Sequence, residues 1–188
     1  GYNYARVAID LALARGGDQA VVKNCKGITY YGGKREQTSR NTRVKARVKA
    51  EALREFIIAK ERVIVMGHKI PDVDSFGAAI GIYRAASAME KKVNIVLDDI
   101  SVTLRPLYEA FSNNTAYPED LFVTPREAEE LADENTMVVV VDTNKPKMTE
   151  CERLLRMTKT IAVLDHHRQS DEVIENAKIN EKSLDIME

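Results

Sequence analysis

A chain of 188 residues, 44% hydrophobic and 30% charged, suits one sizeable domain plus a smaller piece and excludes wholesale disorder. A formal net charge of −1 gives no global pull toward nucleic acid, and no apolar run approaches the roughly eighteen residues of a membrane span. Cys25 and Cys151 alone make neither a disulfide scaffold nor a thiolate metal site.

The start is polar, shows no signal-peptide pattern and has no methionine before Met66, so a soluble piece of a longer protein is expected. Residues 3–15 read as a short helix with Tyr4, Val7, Leu11 and Ala14 on one face, stopped by Gly16-Gly17. Ala20 to Val22 and Ile28 to Tyr31 read as strands with Lys26-Gly27 as their turn. Together these pieces bury too little to fold alone.

Residues 34–60 form a basic tract. Val44, Val48, Ala52 and Phe56 recur at fourfold spacing, backed by Leu53 and Ile57, so an amphipathic linker helix with a solvated basic face is expected. The aromatic interleaving of a nucleic-acid surface is missing.

From residue 61 the pattern becomes α/β. Strands are expected at Val63 to Met66, Val93 to Leu97, Met137 to Val141 and Thr160 to Leu164. Helices are expected at Gly77 to Met89, at Arg105 to Phe111, behind the capping box Thr124-Pro125-Arg126-Glu127, and from Thr149 with Glu152 through Met157. After Ser170 no convincing element is seen. Alternation of this kind implies a parallel sheet with helices on both faces, a Rossmann-like three-layer architecture. Ligands of such sheets sit outside the carboxyl ends of the strands.

Three expected strands run directly into ionisable residues. The first leads to His68, Asp72, Asp74 and Ser75, the third to Asp142, and the last to Asp165, His166, His167 and Arg168. Imidazoles and carboxylates converging on one rim suit Mn²⁺, Fe²⁺, Co²⁺ or Zn²⁺ better than Ca²⁺, while Mg²⁺ prefers oxygen alone. Capping aspartates and hydrogen-bonded core histidines are the bland alternative. Nucleophilic catalysis is disfavoured: Ser75 lacks a Gly-x-Ser-x-Gly elbow, and Cys151 is far in sequence from any histidine.

Gly77 and Gly81 are expected to permit a close backbone approach near a helix N-terminus. No Gly-x-Gly-x-x-Gly or Walker lysine is present, so neither a dinucleotide cofactor nor ATP is indicated. Asp98-Asp99 reads as a turn with an outer pocket wall as its alternative. The carboxylates around Glu127, Glu129, Glu130, Asp133 and Glu134 read as a solvated helix face.

The series His68-x-x-x-Asp72-x-Asp74-x-x-Gly77-Ala78, then Val141-Asp142, then Asp165-His166-His167, resembles the DHH phosphoesterase superfamily over about residues 60–170. Residues 8–22, Tyr31-Gly32-Gly33-Lys34 and Thr42 to Arg47 resemble its GdpP/YybT subgroup of cyclic di-AMP phosphodiesterases. The resemblance implies three regions. Residues 1–33 would be the C-terminal remnant of a degenerate GGDEF domain, and 34–60 a basic linker helix. Residues 61–188 would be a DHH domain incomplete at its C-terminus, with the DHHA1 domain absent.

It further implies hydrolysis of cyclic di-AMP to linear pApA with two divalent cations, Mn²⁺ by family habit. His68, Asp72 and Asp142 would hold one ion and Asp74, Asp142 and His166 the other, completed by an aspartate some fifty residues further on. Asp142 would bridge, Asp165 would orient a histidine, and Ser75, His167 and Arg168 would contact phosphate. With the distal aspartate and the DHHA1 domain missing, the isolated piece is expected to be weak or inactive. The parent would be a bacterial membrane protein with this region facing the cytoplasm. A homodimer is compatible with the sequence; duplex nucleic acid is not an expected partner. The alternatives are an exonuclease or nanoRNase acting on short linear strands, and a non-catalytic nucleotide-binding module.

Overall fold

A computed structural model describes residues 2–14, 19–32, 35–167, 173–174 and 177–182. They fall in two compact units, one within Gly1–Ala46 and one within Arg47–Ser183.

In the first unit, helix α1 (Tyr2–Ala14) packs on an antiparallel hairpin of β1 (Gln19–Asn24) and β2 (Gly27–Gly32). The turn is Cys25-Lys26, one residue earlier than the sequence suggests. Asn24 fixes it, because its Oδ1 accepts from the Lys26 and Gly27 amides at 2.8 and 3.1 Å. Gly27 follows with φ +148°, which suits glycine. Gly16-Gly17 lies outside the described residues.

Helix α2 (Arg35–Ile58) is the expected basic helix. Its last turns are not a free linker. Ile57 is buried, and Ala52, Leu53 and Phe56 pack on the core of the second unit. Val48, expected on that stripe, is exposed. Contact is carried by the Leu53, Phe56 and Ile57 side, so the fourfold spacing overstated the length of the apolar face.

The second unit runs β3 (Arg62–Met66), α3 (Val73–Ser87), β4 (Lys92–Val96), α4 (Arg105–Ser112), β5 (Phe122–Val123), α5 (Pro125–Leu131), β6 (Thr136–Val141), α6 (Leu154–Met157), β7 (Thr160–Asp165) and β8 (Ile179–Lys182). All six strands are parallel, in the order β5-β4-β3-β6-β7-β8. Counted from β3 this is 3-2-1-4-5-6, a doubly wound sheet whose order reverses between β3 and β6.

Alternating side chains feed two cores. Val63, Val65, Ile95, Met137, Val139 and Val141 face α3 and the end of α2. Ile64, Met66, Val96, Val138, Val140 and Val163 face α5, α6 and Cys151. Every position of β6 is buried, as its unbroken apolar run predicts. Its four valines, Val138 to Val141, contribute roughly 6 kcal/mol or more of transfer free energy.

Several expected boundaries are corrected. Helix α3 opens at Val73 rather than Gly77, because Asp72 is its N-cap and its Oδ1 accepts from the Ser75 amide at 2.9 Å. Nothing lies within 4 Å of a β-carbon built on Gly77 or Gly81, so neither serves a close approach. Thr149 and Glu152 open no capped helix. Thr149 Oγ1 instead donates to the Pro146 carbonyl at 2.7 Å, behind a 3-10 turn at Pro146–Met148, and α6 begins after Arg153 without a side-chain cap. The Thr124/Glu127 capping box forms as expected. Strands β5 and β8 were not foreseen. Buried Asn94 positions the residues leading into β5: it accepts from Arg62 and donates to the Asp120 carbonyl at 2.6 Å. Among the described residues no helix is long and apolar enough to cross a membrane.

Candidate metal centre

The carboxyl ends of β3, β6 and β7 are neighbours at the point where the strand order reverses, and the ionisable residues gather there. Asp142 follows β6 directly. Its amide donates to the Leu164 carbonyl at 2.8 Å, and its backbone turns to φ +58°, a conformation aspartate tolerates better than most residues. The turn lifts a buried carboxylate into the crevice, with only 7% of the residue exposed.

The two oxygens of Asp142 face different partners. Oδ2 lies 3.5 Å from His68 Nε2, while Oδ1 lies 3.0 Å from His166 Nε2 and 3.7 Å from His167 Nδ1. His68 Nε2 is also 3.8 Å from Asp72 Oδ1. Two candidate ligand groups result, His68/Asp72/Asp142 and Asp142/His166/His167, each with its ligand atoms within 4.8 Å of one another. Asp142 belongs to both. Imidazole plus carboxylate is a donor set for a borderline divalent cation, so the residues fit such a metal.

Asp165 stands behind this pair of groups. Its Oδ1 lies 2.8 Å from His167 Nδ1 and accepts from the His167 amide at 3.2 Å, while its Oδ2 is buried with no hydrogen-bond partner among the described residues. The hydrogen bond to Asp165 holds His167 above the ordinary imidazole range, with the Asp165, Asp142 and Asp72 charges adding to it and burial opposing.

The residues expected at the site are not all brought together. Asp74 is exposed in the first turn of α3 and belongs to neither ligand group. Ser75 is buried and packs against Gly67 rather than lining the cavity. Arg168 lies outside the described residues.

The cavity has a volume of about 280 Å³. His68, Asp142, Asp165 and His167 line one side, with Thr143, Asn144, Lys145 and Met148 on the loop after β6. That loop returns to β3, where Thr149 bridges to His68 and the Lys69 amide donates to the Met148 carbonyl at 2.8 Å. Sequence reading missed this wall; its one signal was position, directly after a strand-end aspartate.

Asp98 and Asp99 do not line the cavity. They face Glu150, whose carboxyl is buried; among the described residues neither oxygen has a well-formed hydrogen bond, and the Asp98 amide is only a weak partner. Burial first, then the Asp98 and Asp99 charges, raise Glu150 to about 7 against the opposing Asp98 amide and Lys69. Around α5, Arg126 pairs with Glu130 and Arg153 with Glu129, as on an ordinary solvated face. Cys151 is buried with Sγ 3.4 Å from Glu129 Oε1, and burial pushes its thiol up, away from nucleophilic use.

A family model described as the DHH family, N-terminal domain, matches residues 62–185. The chain belongs to the DHH family. The match takes in His68, Asp72, Asp142 and the Asp165-His166-His167 run. The chain is 42% identical over 173 residues to the cyclic-di-AMP phosphodiesterase GdpP of Bacillus subtilis (strain 168), covering 90% of this chain and 26% of the relative. It is 38% identical over 175 residues to the cyclic-di-AMP phosphodiesterase PdeA of Listeria monocytogenes serotype 1/2a (strain 10403S), covering 90% and 26%. The DHH chain thus spans about a quarter of the length of these curated relatives. An exopolyphosphatase-related protein from Bacteroides fragilis shares the fold, with a TM-score of 0.55 and 16% identity over 72% of this chain and 38% of its own.

Proposed function

We propose that this chain carries the metal-binding face of a phosphodiesterase that hydrolyses cyclic di-AMP to linear pApA. The observation that carries the reading is Asp142, shared by two ligand groups at the switch point of a DHH domain. The names of the relatives from Bacillus and Listeria support cyclic di-AMP as the substrate.

His68, Asp72 and Asp142 would hold one divalent cation, and His166 with Asp142 the other; Asp74, outside both ligand groups, would be its further carboxylate on the resemblance alone, and Mn²⁺ is the proposed metal. When bound, such a pair supplies activated water and charge neutralisation for one phosphodiester. Water adds to phosphorus, the P–O3′ bond breaks, and the 3′ oxygen leaves with a proton. His167 is the residue placed to deliver that proton. Asp165 engages its Nδ1, which leaves Nε2 for the substrate and fixes one tautomer. This is a better use of His167 than ligation through a nitrogen that Asp165 already occupies. Asp165 is then a positioning residue. On this reading the chain would lie on the cytoplasmic side of a membrane-anchored bacterial enzyme, with residues 1–33 as the tail of a GGDEF domain.

The test is product analysis on the intact Mn²⁺-loaded enzyme, with cyclic di-AMP, short linear oligonucleotides and pyrophosphate side by side. Conversion of cyclic di-AMP to pApA is expected. Cleavage of linear strands or pyrophosphate with the cyclic dinucleotide untouched overturns the assignment, and absence of any turnover favours a binding module.

A further inference from the structure

We propose that Lys145 captures the non-reacting phosphate of the dinucleotide at the mouth of the cavity and so sets KM. This rests on the phosphodiesterase reading and adds to it a substrate-binding residue. Among the described residues, Lys145 is the one lysine or arginine lining the cavity.

Its backbone is held three ways. The Lys145 amide donates to Thr143 Oγ1 at 3.3 Å, and its carbonyl accepts from the Met148 amide at 3.0 Å. Pro146 follows it, and a residue before proline is confined to extended backbone, which Lys145 adopts at φ −98° and ψ 118°. The loop itself is tied down on its far side, where the Ile174 amide donates to the Asn144 carbonyl at 3.0 Å. An exposed side chain therefore rises from a fixed root at the edge of the site.

The ammonium is unspent. Among the described residues it forms no ion pair, although Asp142 and Asp165 line the same cavity. Arg126, Arg153 and Arg156 are each matched to a glutamate. A compact, hydrated point charge on a four-carbon stem suits a phosphate approached from solvent.

Cavity size decides which phosphate. At about 280 Å³ the cavity falls just below the roughly 300–1,000 Å³ of pockets that enclose a drug-sized ligand. It accommodates one phosphodiester group between the ligand residues and leaves the rest of a dinucleotide outside. The second phosphate then lies at the rim, where Lys145 stands.

The experiment is steady-state kinetics of the intact Mn²⁺ enzyme and its Lys145→Gln and Lys145→Arg variants on cyclic di-AMP. Product inhibition by pApA, with two phosphates, and by AMP, with one, is measured in parallel. Lys159→Gln, the same charge change at the opposite end of the sheet, is the control. Lys145→Gln should raise KM and the Ki of pApA about tenfold, leave kcat and the Ki of AMP within about twofold, and weaken the salt dependence of kcat/KM. Lys145→Arg should restore most of the loss.

A fall in kcat at unchanged KM, equal shifts in both Ki values, or no shift at all would overturn the role of Lys145. Mn²⁺ affinity and melting temperature measured on the same variants expose a merely structural effect, and a drop in either counts against the proposal. If the unaltered enzyme leaves cyclic di-AMP intact, the phosphodiesterase reading falls first. If it is active and indifferent to Lys145→Gln, only this inference falls.

Discussion

The Ser75 hydroxyl fills the space that a side chain on Gly67 would need, so the end of β3 and the first turn of α3 meet with nothing between them. A β-carbon built on Gly67 would overlap Ser75 Oγ and stand 3.4 Å from Ser75 Cβ and 3.8 Å from the Val141 carbonyl. This close approach sets the loop that carries His68 and Asp72. Gly67→Ala should cost about 1–3 kcal/mol as an overpacked contact and weaken Mn²⁺ binding. In Gly67→Ala/Ser75→Ala the nearest remaining side-chain atom is at ordinary contact distance, so most of the stability should return. Urea unfolding of the four proteins in the cycle checks this, and a double variant no better than Gly67→Ala would refute the contact.

Asp142 combines a metal-ligand role with an uncommon backbone, and two substitutions separate them. Asp142→Asn keeps a side chain that tolerates φ near +58°, whereas Asp142→Ala does not. Both should lose activity by about a thousandfold or more, since one carboxylate serves both ligand groups. Only Asp142→Ala should also lose stability, by roughly 1 kcal/mol. Retention of kcat within about tenfold in either variant would remove Asp142 from the centre of the mechanism.

Asp165 acts through His167. Breaking the 2.8 Å contact frees the imidazole to turn, so Asp165→Asn should lower kcat about ten- to a hundredfold while His68, Asp72 and Asp142 still bind Mn²⁺. Because the two act as a unit, Asp165→Asn/His167→Ala should be no slower than His167→Ala alone. Additive losses would mean that Asp165 has a separate task, for which its unpartnered Oδ2 is the available atom.

What the sequence disclosed follows from where the chemistry is local. The central strands are short apolar runs, the Thr124/Glu127 cap is a four-residue pattern, and the strand-end histidines and aspartates stand beside their strands. Their convergence follows from parallel order alone. Helix α3 starts four residues before the expected Gly77 because Asp72, one of the candidate ligands, also caps it through the Ser75 amide. Strand β5 has two residues, and β8 has one apolar residue in four, so neither carries a periodic signal. The Thr143 to Met148 wall and the Gly67 contact are tertiary facts. The wall is brought beside the site with the bridge from Thr149 to His68, and no local composition announces either feature.

Glu150 should make the fold weaken as pH rises through the range just below neutrality. Its ordinary value is 4.5, and in the folded chain it lies at about 7, chiefly through burial and then through the facing Asp98 and Asp99 charges, with the Asp98 amide and Lys69 opposing. Between those two values the folded state keeps a proton that the unfolded state has lost. Stability therefore falls as pH increases across that window, and levels off above about 7. The loss should be about 2 kcal/mol, once some access of water at the edge of the site is allowed for. Glu150→Gln removes the titration and keeps the shape. Its unfolding free energy should match the unaltered protein near pH 4 and exceed it by that amount at pH 8, while the shared carboxylates elsewhere cancel in the difference. Urea unfolding of both proteins, stripped of metal with chelator, from pH 4 to 8 gives the comparison. Parallel curves across the whole range would show that Glu150 ionises as an ordinary glutamate and that its two buried oxygens find partners in solution.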